Sequence, residues 1–138
     1  MALCLAAGAL AVTLTIESFT LAWTHSIEKV RWEEDWRIED TLLVLDEARV
    51  RGTGAGMEPP DGAVLENGVW RYRPRVAPLP QLLLAHSPHA AAFEICNDGR
   101  CRRVDDLLPG LPQTATLLMR PCEATTGVIP NSGKALGL

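Results

Sequence analysis

The 138 residues contain no membrane span, no basic nucleic-acid surface and no serine-nucleophile elbow. The uncharged run from Met1 to Ile16 falls short of the roughly twenty apolar residues a spanning helix needs, and Gly8, Thr13 and Thr15 interrupt it. It also lacks the basic start of a signal peptide, so it reads as a pair of strands turning near Ala6-Ala7-Gly8, and any export would need an upstream start. Positive charge is scarce: 13 Lys and Arg stand against 17 Asp and Glu, a formal net charge of −4. The longest basic run is Arg100-Cys101-Arg102-Arg103, too little to neutralise a phosphate backbone, which argues against nucleic acid as a partner.

Catalytic signatures are missing too. None of the serines at 18, 26, 87 and 132 lies in a Gly-x-Ser-x-Gly turn. His25 and Ser26 are neighbours on a strand pattern and point to opposite faces, so they cannot serve each other as base and nucleophile. No Cys-x-x-Cys knuckle occurs, and His86 and His89 beside Pro88 do not complete a zinc site, so no metal and no cofactor is expected. No helical period and no internal repeat emerges anywhere in the chain.

What remains is a composition of 47% hydrophobic and 22% charged residues, normal for one globular domain able to bury its own core. Period-two alternation recurs along it. Strands are expected over 2–7, 10–28 (too long to be straight), 30–38, 42–50 and 82–86, with a hairpin around Asn67-Gly68, another around Asn97-Asp98-Gly99, and a closing strand over 114–120. A single helical turn fits Asp105 to Leu108, stopped by Pro109-Gly110. The expected fold class is all-β, an antiparallel β-sandwich or small barrel of eight to ten short strands with no major helix, over residues 1–124. Residues 125–138 read as a disordered C-terminal tail.

Three of the four tryptophans fall within residues 23–38. Phe19, Leu21, Trp23 and His25 form one face, and the parity changes so that Val30, Trp32, Trp36 and Ile38 form the next. A two-residue reversal at Glu28-Lys29 accounts for the change and sets His25 opposite Trp32, with Glu34 diagonal to His25 on the inner face. Glu33 and Asp35 turn the other way, with Arg31 and Arg37, as a solvated charge ladder. An inward His25/Glu34 pair is either a structural network or a binding or catalytic pair.

Arg49 and Arg51 share the polar side of the strand that precedes Gly52-Thr53-Gly54-Ala55-Gly56-Met57-Glu58-Pro59-Pro60. The two prolines forbid the helix a dinucleotide-binding loop requires, which leaves either a long turn or a glycine-rich concavity for an anion. The candidate binding set is therefore His25, Glu34, Arg49, Arg51, Gly52, Gly54, Gly56 and Glu58, a patch suited to a small organic anion or to a partner's exposed segment. Cys96 and Cys101 bracket a turn that sets them opposite each other, the spacing of a hairpin disulfide.

Trp23-Thr24-His25-Ser26-Ile27-Glu28-Lys29, Trp32-Glu33-Glu34-Asp35-Trp36-Arg37, Glu47-Ala48-Arg49-Val50, the glycine loop to Pro60 and Ile95-Cys96-Asn97-Asp98-Gly99-Arg100-Cys101 together resemble the bacterial domain of unknown function 1850 family. The resemblance implies a small protein encoded beside TAXI-type TRAP transporters, with transporter components as partners and a periplasmic or extracytoplasmic setting. It implies no catalytic residue. A non-catalytic accessory or solute-binding or partner-binding role is the reading these features favour. The alternatives are a small enzyme using His25 and Glu34 or a purely structural interaction domain.

Overall fold

A computed structural model describes residues 1–24, 30–51, 61–88 and 92–124. Among these the chain forms β1 (Ala2–Ala7), β2 (Leu10–Leu14), β3 (Ser18–Thr24), β4 (Arg31–Glu39), β5 (Leu42–Arg51), β6 (Val64–Glu66), β7 (Val69–Tyr72), β8 (Leu82–His86), β9 (Glu94–Asn97), β10 (Arg100–Arg103), the helical turn α1 (Val104–Leu107) and β11 (Ala115–Cys122). The strands make two antiparallel sheets, one of four in the order β2-β1-β11-β8 and one of seven in the order β10-β9-β3-β4-β5-β7-β6. This is the all-β, sandwich-like architecture that the alternation implies. No described helix is long and apolar enough to cross a membrane.

The expected strand over 10–28 is two strands. Leu14 ends β2 and Ser18 starts β3, and the three residues between carry the chain from the small sheet to the large one. That division raises the strand number to eleven. At the crossing the carbonyl of Glu17 accepts a 2.8 Å bond from the Ile38 amide, which fastens the new strand to β4.

The core lies between the sheets. Leu3 and Leu5 of β1, Leu117 and Met119 of β11 and Leu84 of β8 meet Phe19 and Leu21 of β3, Trp36 of β4, Leu43 of β5 and Ile95 of β9. Val104 and Leu108 bring α1 into the same cluster, with the Leu108 amide bonded to the Val104 carbonyl at 3.0 Å. Fully burying each leucine or phenylalanine contributes about 1.5–3 kcal/mol. The small sheet is assembled from both ends of the described chain, because β1 pairs with β11. Cys4 and Cys122 join those two strands in a disulfide with their Cα atoms 5.9 Å apart.

Two hairpins carry their signature in the sequence. Asn67 and Gly68 take φ of 53° and 77°, and Asp98 and Gly99 take 53° and 76°, the pair of positive values that a type I′ reversal demands. In the second hairpin Asn97 pairs with Arg100, so the turn is two residues, and Cys96 stands directly opposite Cys101. Those two cysteines are also joined, with Cα atoms 4.0 Å apart.

Candidate functional site

The register of the large sheet decides which side chains meet. Across β3, β4, β5, β7 and β6 one row runs Trp23, Trp32, Val50, Trp70, Leu65. The next runs Ile95, Leu21, Glu34, Ala48, Tyr72 from β9 to β7. Leu21 and Ile95 belong to the core, so both rows lie on the inner face of the sheet. Trp23 and Trp32 stack with centroids 6.2 Å apart and planes 4° from parallel, and Phe93 packs against Trp23 at 5.5 Å. Trp32, Trp70 and Tyr72 are half-buried and stand outside the core cluster, so this end of the inner face is an aromatic platform reached by solvent.

Glu34 sits in that platform. Its Oε1 accepts a 3.1 Å hydrogen bond from the Trp36 indole N–H, and burial holds its carboxyl above the ordinary value, opposed in part by that bond. Tyr72, across Ala48, is pushed up as well, by burial first and by the Glu34 charge second. The nearest basic residue in the row is Arg102 on β10, three strands from Glu34, or about 14 Å at the usual strand spacing.

Thr24 pairs with Arg31, Trp23 with Trp32 and Leu21 with Glu34, which shifts each partner by two from the expected register. The expected reversal at Glu28-Lys29 lies outside the described residues. Trp23 thus takes the place opposite Trp32 where His25 was expected, and the pairing of two large aromatics buries apolar surface of both. His25 lies outside the described residues, as do Gly52, Gly54, Gly56 and Glu58.

Arg49 and Arg51 occupy the other face. Arg49 is opposite Glu33, whose strand neighbour Glu34 points inward, so the arginine and Glu34 do not converge. The Arg49 guanidinium is enclosed by carboxylates: Nε donates to Glu33 at 3.0 Å, Nη1 and Nη2 each reach Asp35 at 2.7 Å, and Nη1 also reaches Glu47. Arg31 adds bonds to Glu33 and Glu94, both 3.0 Å, and Arg71 approaches Glu47 at 3.3 Å. The Arg49 bonds, aided by the Thr20 hydroxyl, hold Asp35 below its ordinary value. Burial pushes the Glu33 carboxyl up, but Arg49 and Arg31 outweigh it and leave it low. Arg51 is largely exposed and only 4.0 Å from Glu33.

A bulge places this ladder. Asp35 pairs with Glu47 but Trp36 pairs with Leu45, which leaves Asp46 as the extra residue of β5. Simple alternation would put Leu43 and Leu45 on the face of Arg49. The bulge instead returns Leu43 and Leu45 to the inner face with Ala48 and Val50, and frees Asp46 to bind Arg37 at 3.1 Å.

One polar feature escaped the sequence. His86 ends β8 in a pocket of about 240 Å³ with Ser87, Arg103, Asp105 and Gln113, and its Nδ1 is buried with no partner among the described residues. Arg103 is spent on Asp105, at 2.9 and 2.8 Å. Nothing in the periodicity around His86 signals a pocket formed by three separate segments.

The family model for a domain of unknown function (DUF1850) matches residues 19–104. The chain belongs to the DUF1850 family. The matched segment runs from β3 to the start of α1, so the DUF1850 region contains the whole seven-stranded sheet with its aromatic platform and its charge ladder, while β1, β2 and β11 fall outside it. No curated protein and no solved structure matches the chain.

The inner position of Glu34 makes a measurable prediction for this DUF1850 chain. A carboxyl whose folded pKa is raised contributes stability fully below its unfolded pKa of about 4.3, and loses it as the pH rises through the folded value. Glu34→Gln keeps an acceptor for the Trp36 indole and removes the ionisation. Urea unfolding should therefore show the variant more stable than the wild type at pH 7, with the difference closing towards pH 4. A variant less stable at pH 7 would mean that the ionised carboxylate has a cationic partner.

Proposed function

We propose that the protein is a non-catalytic accessory or solute-binding or partner-binding component associated with a TAXI-type TRAP transporter, and that it binds through the inner face of the seven-stranded sheet. The observation that carries this reading is the placement of Trp32, Trp70 and Tyr72 near Glu34, half-buried and outside the core cluster, with Trp23 at the core's edge stacked on Trp32. Large aromatics with one open side supply contact area at small entropic cost, which suits recognition. The transporter association rests on the family resemblance. Four cysteines all held in disulfides support an oxidising, extracytoplasmic compartment.

Recognition of an organic anion by Arg49 is the weaker variant of this reading. An incoming carboxylate would have to displace Glu33, Asp35 and Glu47 from a guanidinium whose donors they already occupy. Arg51 is the most exposed guanidinium beside Arg49 on that face, and Arg71, also exposed, is already turned to Glu47.

Co-expression with the transporter components encoded beside it tests the proposal. The wild type should co-purify with them, Trp32→Ala/Trp70→Ala should be lost from the complex, and Leu83→Ala, an exposed leucine on the small sheet, should be retained. Absence of the wild type from the complex overturns the transporter reading, and retention of the tryptophan variant overturns the choice of face.

A further inference from the structure

The chemistry of the inner face selects a ligand of one charge. Glu34 carries the one carboxyl group in the two rows from β9 to β6, and its neighbours in those rows are three indoles, a phenol and aliphatic side chains. The sheet spends Arg31, Arg49 and Arg71 on carboxylates of the opposite face, and Arg102 is three strands away. Among the described residues this half-buried carboxyl, set among aromatics, draws its one bond from an indole N–H and meets no basic side chain. Aromatic faces attract cations through their quadrupoles and offer nothing comparable to an anion.

We infer that the platform of Trp23, Trp32, Trp70 and Tyr72 around Glu34 is a binding site for a small solute carrying an alkylammonium group. The inference deepens the binding role proposed above and rests on it. The ammonium carries the charge that Glu34 lacks, and its alkyl groups cover indole surface that is wet in the free protein. A quaternary or primary ammonium fits both demands, because its charge is spread over polarised methyl or methylene groups able to lie on the rings. A hydrated metal ion does not, since it needs several oxygen ligands, and among the described residues Glu34 is the only carboxylate on the platform. The mostly acidic charge balance of the chain favours the approach of a cation over that of an anion.

The test is a titration of isotopically labelled full-length protein with tetramethylammonium chloride, n-propylammonium chloride, sodium propionate and sodium chloride, followed at the tryptophan indole N–H signals. The Trp36 indole reports on Glu34 directly, because the two are hydrogen-bonded. Saturable shifts at Trp36 and at the platform indoles with the ammonium salts, and none beyond the sodium chloride effect with propionate, are expected. Glu34→Gln and Trp70→Ala should each weaken tetramethylammonium about fivefold or more, with Leu83→Ala unchanged. Propionate shifts equal to or larger than those of the ammonium salts, or ammonium shifts that track ionic strength alone, overturn the inference. The wild-type comparison decides the matter even if a variant fails to fold. Co-purification with the transporter is read separately: its loss with ammonium binding intact removes the transporter association and leaves the ligand class, and the reverse result removes the ligand class only.

Discussion

Alanine at both Cys4 and Cys122 is expected to lower the unfolding free energy by about 4 kcal/mol, on the chain-entropy estimate for a cross-link spanning more than a hundred residues. Alanine at Cys96 and Cys101 should lower it by about 2 kcal/mol or less. The two bridges differ in what they close. Cys4 and Cys122 are 118 residues apart and tie β1 to β11, the strands that complete the small sheet after the whole large sheet has intervened. Without that link the denatured chain regains the freedom of a loop containing nearly every other element. Cys96 and Cys101 are five residues apart, across a hairpin that the Asp98-Gly99 turn already closes. Cys4 is also 3% exposed, so its removal leaves unfilled space, whereas Cys101 lies exposed on an edge strand. Urea unfolding of the two double variants at neutral pH measures both effects. A domain of this size has about 5–15 kcal/mol in all, so the first variant should approach the limit of folding at 37 °C. If the hairpin pair proves the costlier to remove, the small sheet closes without help from its bridge.

Much of this arrangement is legible in the residues, and what is not has local causes. The period of two separates Glu34 from Glu33 and Asp35, and the register keeps that separation. Asn67-Gly68 and Asp98-Gly99 announce their turns because few residue types accept positive φ. Parity fails where the chain adds residues that no composition marks. The Asp46 bulge reverses the faces of Leu43 and Leu45, and an aspartate between Leu45 and Glu47 looks like any polar position in an alternating strand. The register between β3 and β4 differs by two from the one expected, which keeps every residue on its own face and only changes its partner. For that reason the inner position of Glu34 could be read correctly while its neighbours could not. Pairing across the chain is the least legible of all: nothing near Cys4 or Cys122 names the other, and the platform takes Trp70 from a hairpin more than thirty residues beyond Trp36. The placement of Arg49 follows from parity, but its enclosure by three carboxylates needs β4 and β5 to be adjacent.

That enclosure sets the second large effect. Arg49→Ala is expected to cost about 2–4 kcal/mol at pH 7, reduced from the about 3–5 kcal/mol for breaking a buried ion pair because Asp35 and Glu47 retain some solvent. Arg49 and Glu33 have side chains only 14% and 12% exposed, so losing the guanidinium leaves carboxylates facing one another with little water between them. Arg51→Ala, at a side chain 57% exposed and 4.0 Å from Glu33, should change stability by less than about 0.5 kcal/mol. The pH dependence separates charge from packing. Glu33 and Asp35 have folded pKa values below their unfolded ones of about 4.3 and 3.9, so the stability they contribute is present above those values and is lost as the pH falls through the folded values. In Arg49→Ala the main cause of that depression is gone from Asp35, where the Thr20 bond remains, and is reduced at Glu33, where Arg31 remains. The deficit of the variant should therefore be largest near pH 7 and shrink towards pH 3, and added sodium chloride should recover part of it at pH 7 by screening the exposed carboxylates. Arg49→Lys should fall between the wild type and the alanine variant, since a single ammonium restores the charge but cannot reach Glu33, Asp35 and Glu47 at once as the planar fork does. A deficit that persists unchanged at pH 3 would assign the loss to the buried aliphatic stem of Arg49 instead of to its charge.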